Sequence, residues 1–230
     1  MKEKMIIALD ISSRERALHL VRELHDLAGM FKVGSQLYTA AGPEIVREIV
    51  DMGGRVFLDL KFHDIPNTVT RAAVEAAKLG VLMMTLHASG GRAMMESVVG
   101  ELHEKLASKR PRVVAVTILT SLDTPALFEL GLEQPVEVQV ERLALLAQDC
   151  GVDGIVCSPR EIQPLRKIVD ANFKIITPGI RMPDQFLNDQ QRTATPHEAL
   201  AAGADYVVLG RAITMEPDPR AAMQRLIQSI

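Results

Sequence analysis

The densest collection of reactive side chains in the sequence is FLDLKFHDIPNTV, residues 57–69, which carries Asp59, Lys61 and Asp64 at the end of an apolar run. In an extended strand, residues 59 and 61 project from the same face, so a carboxylate and an ammonium can meet there. A lysine between carboxylates is held in its charged form, which suits a general acid. An ammonium already in place also stabilises negative charge as it develops on a carbon atom. For an isolated Asp-x-Lys pair, an ion-pair network sealing a strand end explains the residues equally well; the whole string is far more specific than the pair.

A second constellation reads as a phosphate site. ITPGIRMPDQFLNDQQR (176–192) holds a Pro178-Gly179 turn and Arg181, and LGRAIT (209–214) holds Gly210 and Arg211. Backbone N–H groups at a helix start bind anions, and an arginine adds charge-assisted contacts. The polar stretch from Met182 to Arg192 is long for a connection between strand and helix, so it reads as a lid over the phosphate, with Gln190 best placed to reach the ligand.

The elements that must position these groups follow from eight short apolar runs: residues 5–10, 31–34, 55–60, 82–87, 112–119, 154–157, 174–177 and 206–209. Helix-like segments separate them. Ser12 and Ser13 precede one, Pro43 and Glu44 open another, and Pro196 stands at a first-turn position. Continuous apolar strands alternating with amphipathic helices imply a parallel sheet covered by helices. Eight such units predict a (β/α)8 TIM barrel, with residues 1–230 as one domain. The polar residues cluster after the runs: Asp10, Lys32, Asp59, Lys61, His87, Thr120, Ser121, Arg181 and Arg211. In this barrel all strand ends open on one face, where catalytic groups are carried.

The bulk properties narrow the function. A formal net charge of −3 over 230 residues provides no basic field for nucleic acid. The N-terminal apolar run is too short for a membrane span or a signal-peptide core, so a cytoplasmic location is expected. Cys150 and Cys157 form no Cys-x-x-Cys pair, and both read as buried thiols in a reducing compartment. The sequence has no His-Glu-x-x-His and no Gly-x-Gly-x-x-Gly after its first strand, which sets aside a zinc hydrolase and a dinucleotide-binding dehydrogenase.

With these residues assembled, the chain resembles the orotidine 5'-phosphate decarboxylase family over almost its full length. The resemblance is carried by ALD (8–10), FKVGSQLYTAAGP (31–43), FLDLKFHDIPNTV (57–69), LHASGG (86–91), TILTS (117–121), TPGIR (177–181), NDQQR (188–192) and GADYVVLGRAIT (203–214). It implies conversion of orotidine 5'-monophosphate to uridine 5'-monophosphate and CO2 without metal or organic cofactor. It also implies that Asp10 and Lys32 contact the ribose, and that Lys32, Asp59, Lys61 and Asp64 form a charged array in which Lys61 protonates C6. Thr120 would line the base pocket and Ser121 would read the pyrimidine amide. Pro178, Gly179, Arg181, Gln190, Gly210 and Arg211 would hold the phosphate. The family is dimeric, and Asp64, Ile65 and Thr68 are expected to enter the neighbouring subunit's site.

Two other readings compete. A sugar-phosphate decarboxylase or aldolase on a similar barrel shares the Asp-x-Lys-x-x-Asp strand end and uses Mg2+, but the Ile-Pro-Asn-Thr continuation and Ser121 argue against it. A non-catalytic binder of phosphate ligands has no reason to keep the charged array. His87 is expected to play a structural part, and His63 to face away from Lys61 if the strand continues through it.

Overall fold

The computed structural model describes residues 1–181 and 194–230. Eight parallel strands close in sequence order into a barrel: β1 (Met5–Ala8), β2 (Met30–Gly34), β3 (Val56–Phe62), β4 (Met83–His87), β5 (Arg112–Val116), β6 (Gly154–Val156), β7 (Lys174–Thr177) and β8 (Tyr206–Leu209). Helices alternate with them, as the apolar rhythm predicts. Ser13 caps the helix Arg14–Leu24 by accepting from Arg16 N–H, and Thr195 with Glu198 forms a capping box at Pro196–Ala201. Each device satisfies a donor that the first turn leaves without a helical partner.

Strand alternation sorts the apolar residues into two layers. Ile6, Ala8, Met30, Phe57, Met83, Val114, Ile176 and Val208 pack together inside the barrel. Their neighbours Met5, Ile7, Phe31, Val33, Leu58, Met84, Val113 and Val207 join the layer shared with the helices. Burying one such side chain contributes about 1.5–3 kcal/mol, whereas an exposed ion pair contributes about 0–1 kcal/mol. The apolar layers therefore dominate the stability of the barrel.

The face at the strand starts is tied by polar clamps. Arg110 donates to both oxygens of Asp153 at 2.6 and 2.8 Å, and the same carboxylate accepts from Val113 N–H at 2.8 Å. Asp205 receives Arg166, Lys174 and the N–H of Ile175. These clamps lie at the end of the barrel away from the predicted chemistry.

Several strand boundaries differ from the sequence reading, most by one residue; the first strand ends at Ala8 rather than 10. The fifth strand ends at Val116 rather than 119: Thr117 directs both its N–H and its hydroxyl at the Val156 carbonyl, after which Leu122 N–H bonds Leu119 in a turn. The third runs on to Phe62, because it re-pairs with β4 after an irregularity described below. Among the described residues, no helix is long and apolar enough to cross a membrane.

Candidate active site

The strand ends surround a cavity of about 470 Å3. Its floor is apolar, formed by Ala8, Phe57, Val116, Val156, Ile176 and Val208. Charged groups stand on one wall, and Pro178, Gly179, Arg181, Gly210 and Arg211 form another.

The charged wall is built from three adjacent strands. Asp10 follows β1, Lys32 lies in β2 and Asp59 in β3. Lys32 Nζ donates to Asp10 Oδ1 at 2.8 Å and lies 3.5 Å from Asp59 Oδ2. Lys61 Nζ reaches both Asp59 oxygens at 2.9 Å. Burial alone would raise the Asp59 carboxyl, but the charges of Lys32 and Lys61, with hydrogen bonds from Lys61 and Thr85, outweigh it and hold the group below the ordinary carboxylate value. An anionic aspartate is thus fixed between two ammonium groups.

Asp59 and Lys61 meet as expected, although not through a regular strand. β3 and β4 pair at Leu58 with Met84 and again at Phe62 with Leu86. Residues 59, 60 and 61 consequently face Thr85 alone, and Lys61 takes up the excess with φ of 54°. A positive φ in a non-glycine residue persists only where its surroundings enforce it. Here the Lys61 N–H donates to the Thr85 hydroxyl at 2.8 Å, and that hydroxyl donates to Asp59 Oδ1 at 3.1 Å.

Gly34, at the end of β2, is also shaped by the array: a Cβ there would stand 3.0 Å from Lys32 Nζ and 3.2 Å from Asp10 Oδ1. Neither Thr85 nor Gly34 is evident from the sequence, since nothing in MMTLH marks a bulge and nothing in FKVG marks a close approach. Gln36 is a further cavity residue not anticipated; its amide donates to Ser12 Oγ at 2.9 Å.

The opposite wall has the features of an anion cradle. Gly179 has φ of 80°, the conformation that the Pro-Gly turn requires. Arg181 donates from Nη1 to the Ile180 carbonyl at 3.3 Å, while its buried Nη2 has no hydrogen-bond partner among the described residues. Gly210 precedes the short helix Arg211–Thr214, whose start carries partial positive charge toward the cavity rim.

Of the residues singled out from the sequence, Asp10, Lys32, Asp59, Lys61, Thr120, Pro178, Gly179, Arg181, Gly210 and Arg211 line this one cavity. Ser121 is exposed and stands outside its lining. Asp64, Ile65 and Thr68 are exposed at the start of the helix Pro66–Lys78 and do not line it either. Asp64 accepts from the N–H of Ile65 at 2.6 Å, and among the described residues Lys61 forms an ion pair with Asp59 alone. Gln190 and the proposed lid, Met182 to Arg192, lie outside the described residues.

His63, within the motif, and His87, at the end of β4, have ring centroids 5.3 Å apart and tilted by 37°. β3 ends at Phe62, so His63 is not part of the strand. Burial first, then His63 and the Lys61 charge, push His87 below its usual value, with Asp59 opposing them. These effects favour the neutral form of His87. Cys150 and Cys157 are both buried and free.

Comparison with known proteins agrees with this geometry. Residues 3–226 match the model of the orotidine 5'-phosphate decarboxylase / HUMPS family. The chain is 49% identical to the orotidine 5'-phosphate decarboxylase of Syntrophotalea carbinolica, with 100% of this chain and 95% of that protein covered. It is 50% identical to that of Geobacter sulfurreducens, covering 100% and 96%. A crystal structure of orotidine 5'-phosphate decarboxylase from Lactobacillus acidophilus superposes with a TM-score of 0.85 at 36% identity, over 97% of each chain. In sequence and in fold, this chain belongs to the orotidine 5'-phosphate decarboxylase family.

Proposed function

We propose that the chain converts orotidine 5'-monophosphate to uridine 5'-monophosphate and CO2, the last step of pyrimidine nucleotide synthesis, by direct decarboxylation with Lys61 as proton donor. The observation that carries the mechanism is the Lys61 ammonium, held 2.9 Å from both oxygens of a buried, anionic Asp59 at the wall of a cavity whose other wall suits a phosphate.

The substrate's 5'-phosphate lies against Gly179, Arg181, Gly210 and Arg211, its ribose against Asp10 and Lys32, and its base beside Thr120 over the apolar floor. The bond from C6 to the carboxyl carbon breaks, its electron pair stays on C6, and CO2 departs. Lys61 then gives a proton to C6 and, as the neutral amine, regains one from water. The enzyme contributes an ammonium already oriented by Asp59, so little reorganisation is required as the carbanion forms. The ground-state carboxylate also approaches Asp59, and its loss as neutral CO2 relieves that repulsion. Phosphate binding is remote from C6, so its energy drives closure of the site and is spent on the reacting centre, where the substrate offers few handles.

We further infer a homodimer in a cytoplasmic setting, with Asp64, Ile65 and Thr68 of each chain completing the partner's site. The exposure of Ile65, 66% for a large apolar side chain next to the reactive motif, favours this arrangement, and the free buried thiols suit a reducing compartment.

The test is the absorbance of orotidine 5'-monophosphate after addition of EDTA-treated protein, beside Lys61→Ala. Loss of the substrate band with the wild type, and a decrease of roughly 10²–10⁴-fold or more in the variant, is expected. No change with either protein, or turnover of a sugar phosphate dependent on added Mg2+, would overturn the proposal.

A further inference from the structure

We propose that Thr85 is a positioning residue for the reaction: its one hydroxyl fixes both the backbone of Lys61 and the carboxylate that orients the Lys61 ammonium. The inference rests on the reading of Lys61 as proton donor.

Thr85 is wholly buried, with 0% exposure, at the point where β3 carries more residues than β4. Regular pairing fails there, and the N–H of Lys61 has no ladder carbonyl to meet. The Thr85 oxygen takes that N–H at 2.8 Å. A hydroxyl has a single proton to give, and here it goes to Asp59 Oδ1 at 3.1 Å. Asp59 Oδ1 in turn accepts from Lys61 Nζ at 2.9 Å. The result is a closed ring through Thr85 Oγ1, Lys61 N, the Lys61 side chain and Asp59. It holds the left-handed backbone of Lys61 and turns one carboxylate oxygen toward Lys61, leaving Oδ2 between Lys61 and Lys32.

A purely structural threonine would need only its shape. Valine reproduces that shape and removes both hydrogen bonds, leaving a buried N–H without an acceptor and Asp59 Oδ1 with Lys61 but no longer Thr85 as donor. Serine keeps the hydroxyl and loses only a methyl. The phosphate and ribose contacts lie on other elements, so the loss should fall on turnover rather than on substrate binding.

The experiment is steady-state kinetics of Thr85→Val and Thr85→Ser across pH, with wild type and Lys61→Ala as controls. Expected for Thr85→Val is a drop in kcat of about 10- to 100-fold with KM changed by less than about threefold, since small misplacement of a reacting group costs rate steeply. The acid limb of its pH profile should also move upward, because Asp59 has lost a donor to its charged form. Thr85→Ser should recover most of the turnover. A Thr85→Val enzyme within about twofold of wild-type kcat, equal losses in the valine and serine variants, or a loss confined to KM would overturn the proposal. If Thr85→Val does not fold, Thr85→Ala beside Thr85→Ser decides: equal kcat overturns it, and a higher kcat in serine supports it. Inactive wild type would remove the decarboxylase reading itself, a result distinct from an active wild type with an indifferent residue 85.

Discussion

Gly34 and Lys32 are in near contact: a Cβ on residue 34 would stand 3.0 Å from the Lys32 ammonium nitrogen. Gly34 has φ of −96°, which alanine adopts without strain, and its neighbours are the ends of the Lys32 and Asp10 side chains rather than backbone. Replacing glycine at such a position stabilises a protein by about 0.4–1 kcal/mol through the unfolded chain. Gly34→Ala should therefore leave the melting temperature unchanged or slightly raised while displacing the Lys32–Asp10 pair. We expect kcat/KM to fall about tenfold, equivalent to 1.4 kcal/mol of transition-state stabilisation. Calorimetry and kinetics on the same preparation check this, and a loss of activity that tracks a loss of stability would contradict it.

Asp59 makes the acid behaviour predictable in sign. Its folded carboxyl is held below the unfolded value despite the opposing effect of burial. Its contribution to stability is therefore fully present above the unfolded aspartate value and is lost as pH falls through the folded one. Asp59→Asn keeps the shape but leaves Lys32 and Lys61 without their shared counter-charge. Breaking a buried pair from one side costs about 3–5 kcal/mol, and the half-exposed Lys61 and the remaining Asp10 partner of Lys32 place the expected loss at or below the lower end. Denaturant unfolding of both proteins should show a gap at neutral pH that closes in acid; a gap independent of pH would mean that Asp59 is not the ionised group.

The cradle opposite the array leads to a different kinetic signature. Hydrogen bonds to charged groups contribute about 1.5–3 kcal/mol each, so Arg181→Ala and Arg211→Ala should raise KM by about 10- to 100-fold. If phosphate binding drives closure, kcat must fall as well, and we expect it to do so for Arg211→Ala. Inorganic phosphate should compete with substrate in the wild type and less effectively in either variant. Unchanged turnover at saturating substrate in Arg211→Ala would show that the phosphate contributes uniform binding only.

How much of this was readable from the residues alone differs between fold and site. All eight strands were legible because most of their residues are buried on both faces of the sheet and so appear as short, predominantly apolar runs, and the ion pair of Asp59 and Lys61 was legible from residue type and spacing. The actual route to that pair, a positive φ at Lys61 stabilised by Thr85, was not. Bulges depend on how two strands register, and MMTLH looks the same whether its threonine faces a helix or bridges a gap. Gly34 is hidden for a related reason, since the space it keeps open is occupied by side chains from two other segments. Ser121, assigned to the base by resemblance, stands outside the cavity lining of the single chain, and the Asp64 carboxylate is turned to its own backbone.

That position of Asp64 allows a test of the composite site that does not depend on any structure of the dimer. Lys61→Ala and Asp64→Ala should each be nearly inactive alone. If Asp64 serves the partner's site, a mixed dimer of the two variants has one site with both substitutions and one with neither. Random reassociation of equal amounts then restores about one quarter of wild-type activity, half of the dimers being mixed with half of their sites intact. If Asp64 serves its own chain, each site of the mixed dimer carries one substitution and mixing restores nothing. The variants should be mixed under mild denaturation, refolded together and assayed beside each variant refolded alone. Recovery requires both exchange and trans contribution, so exchange is verified by a mass tag on one variant, and full exchange without recovered activity would assign Asp64 to its own active site.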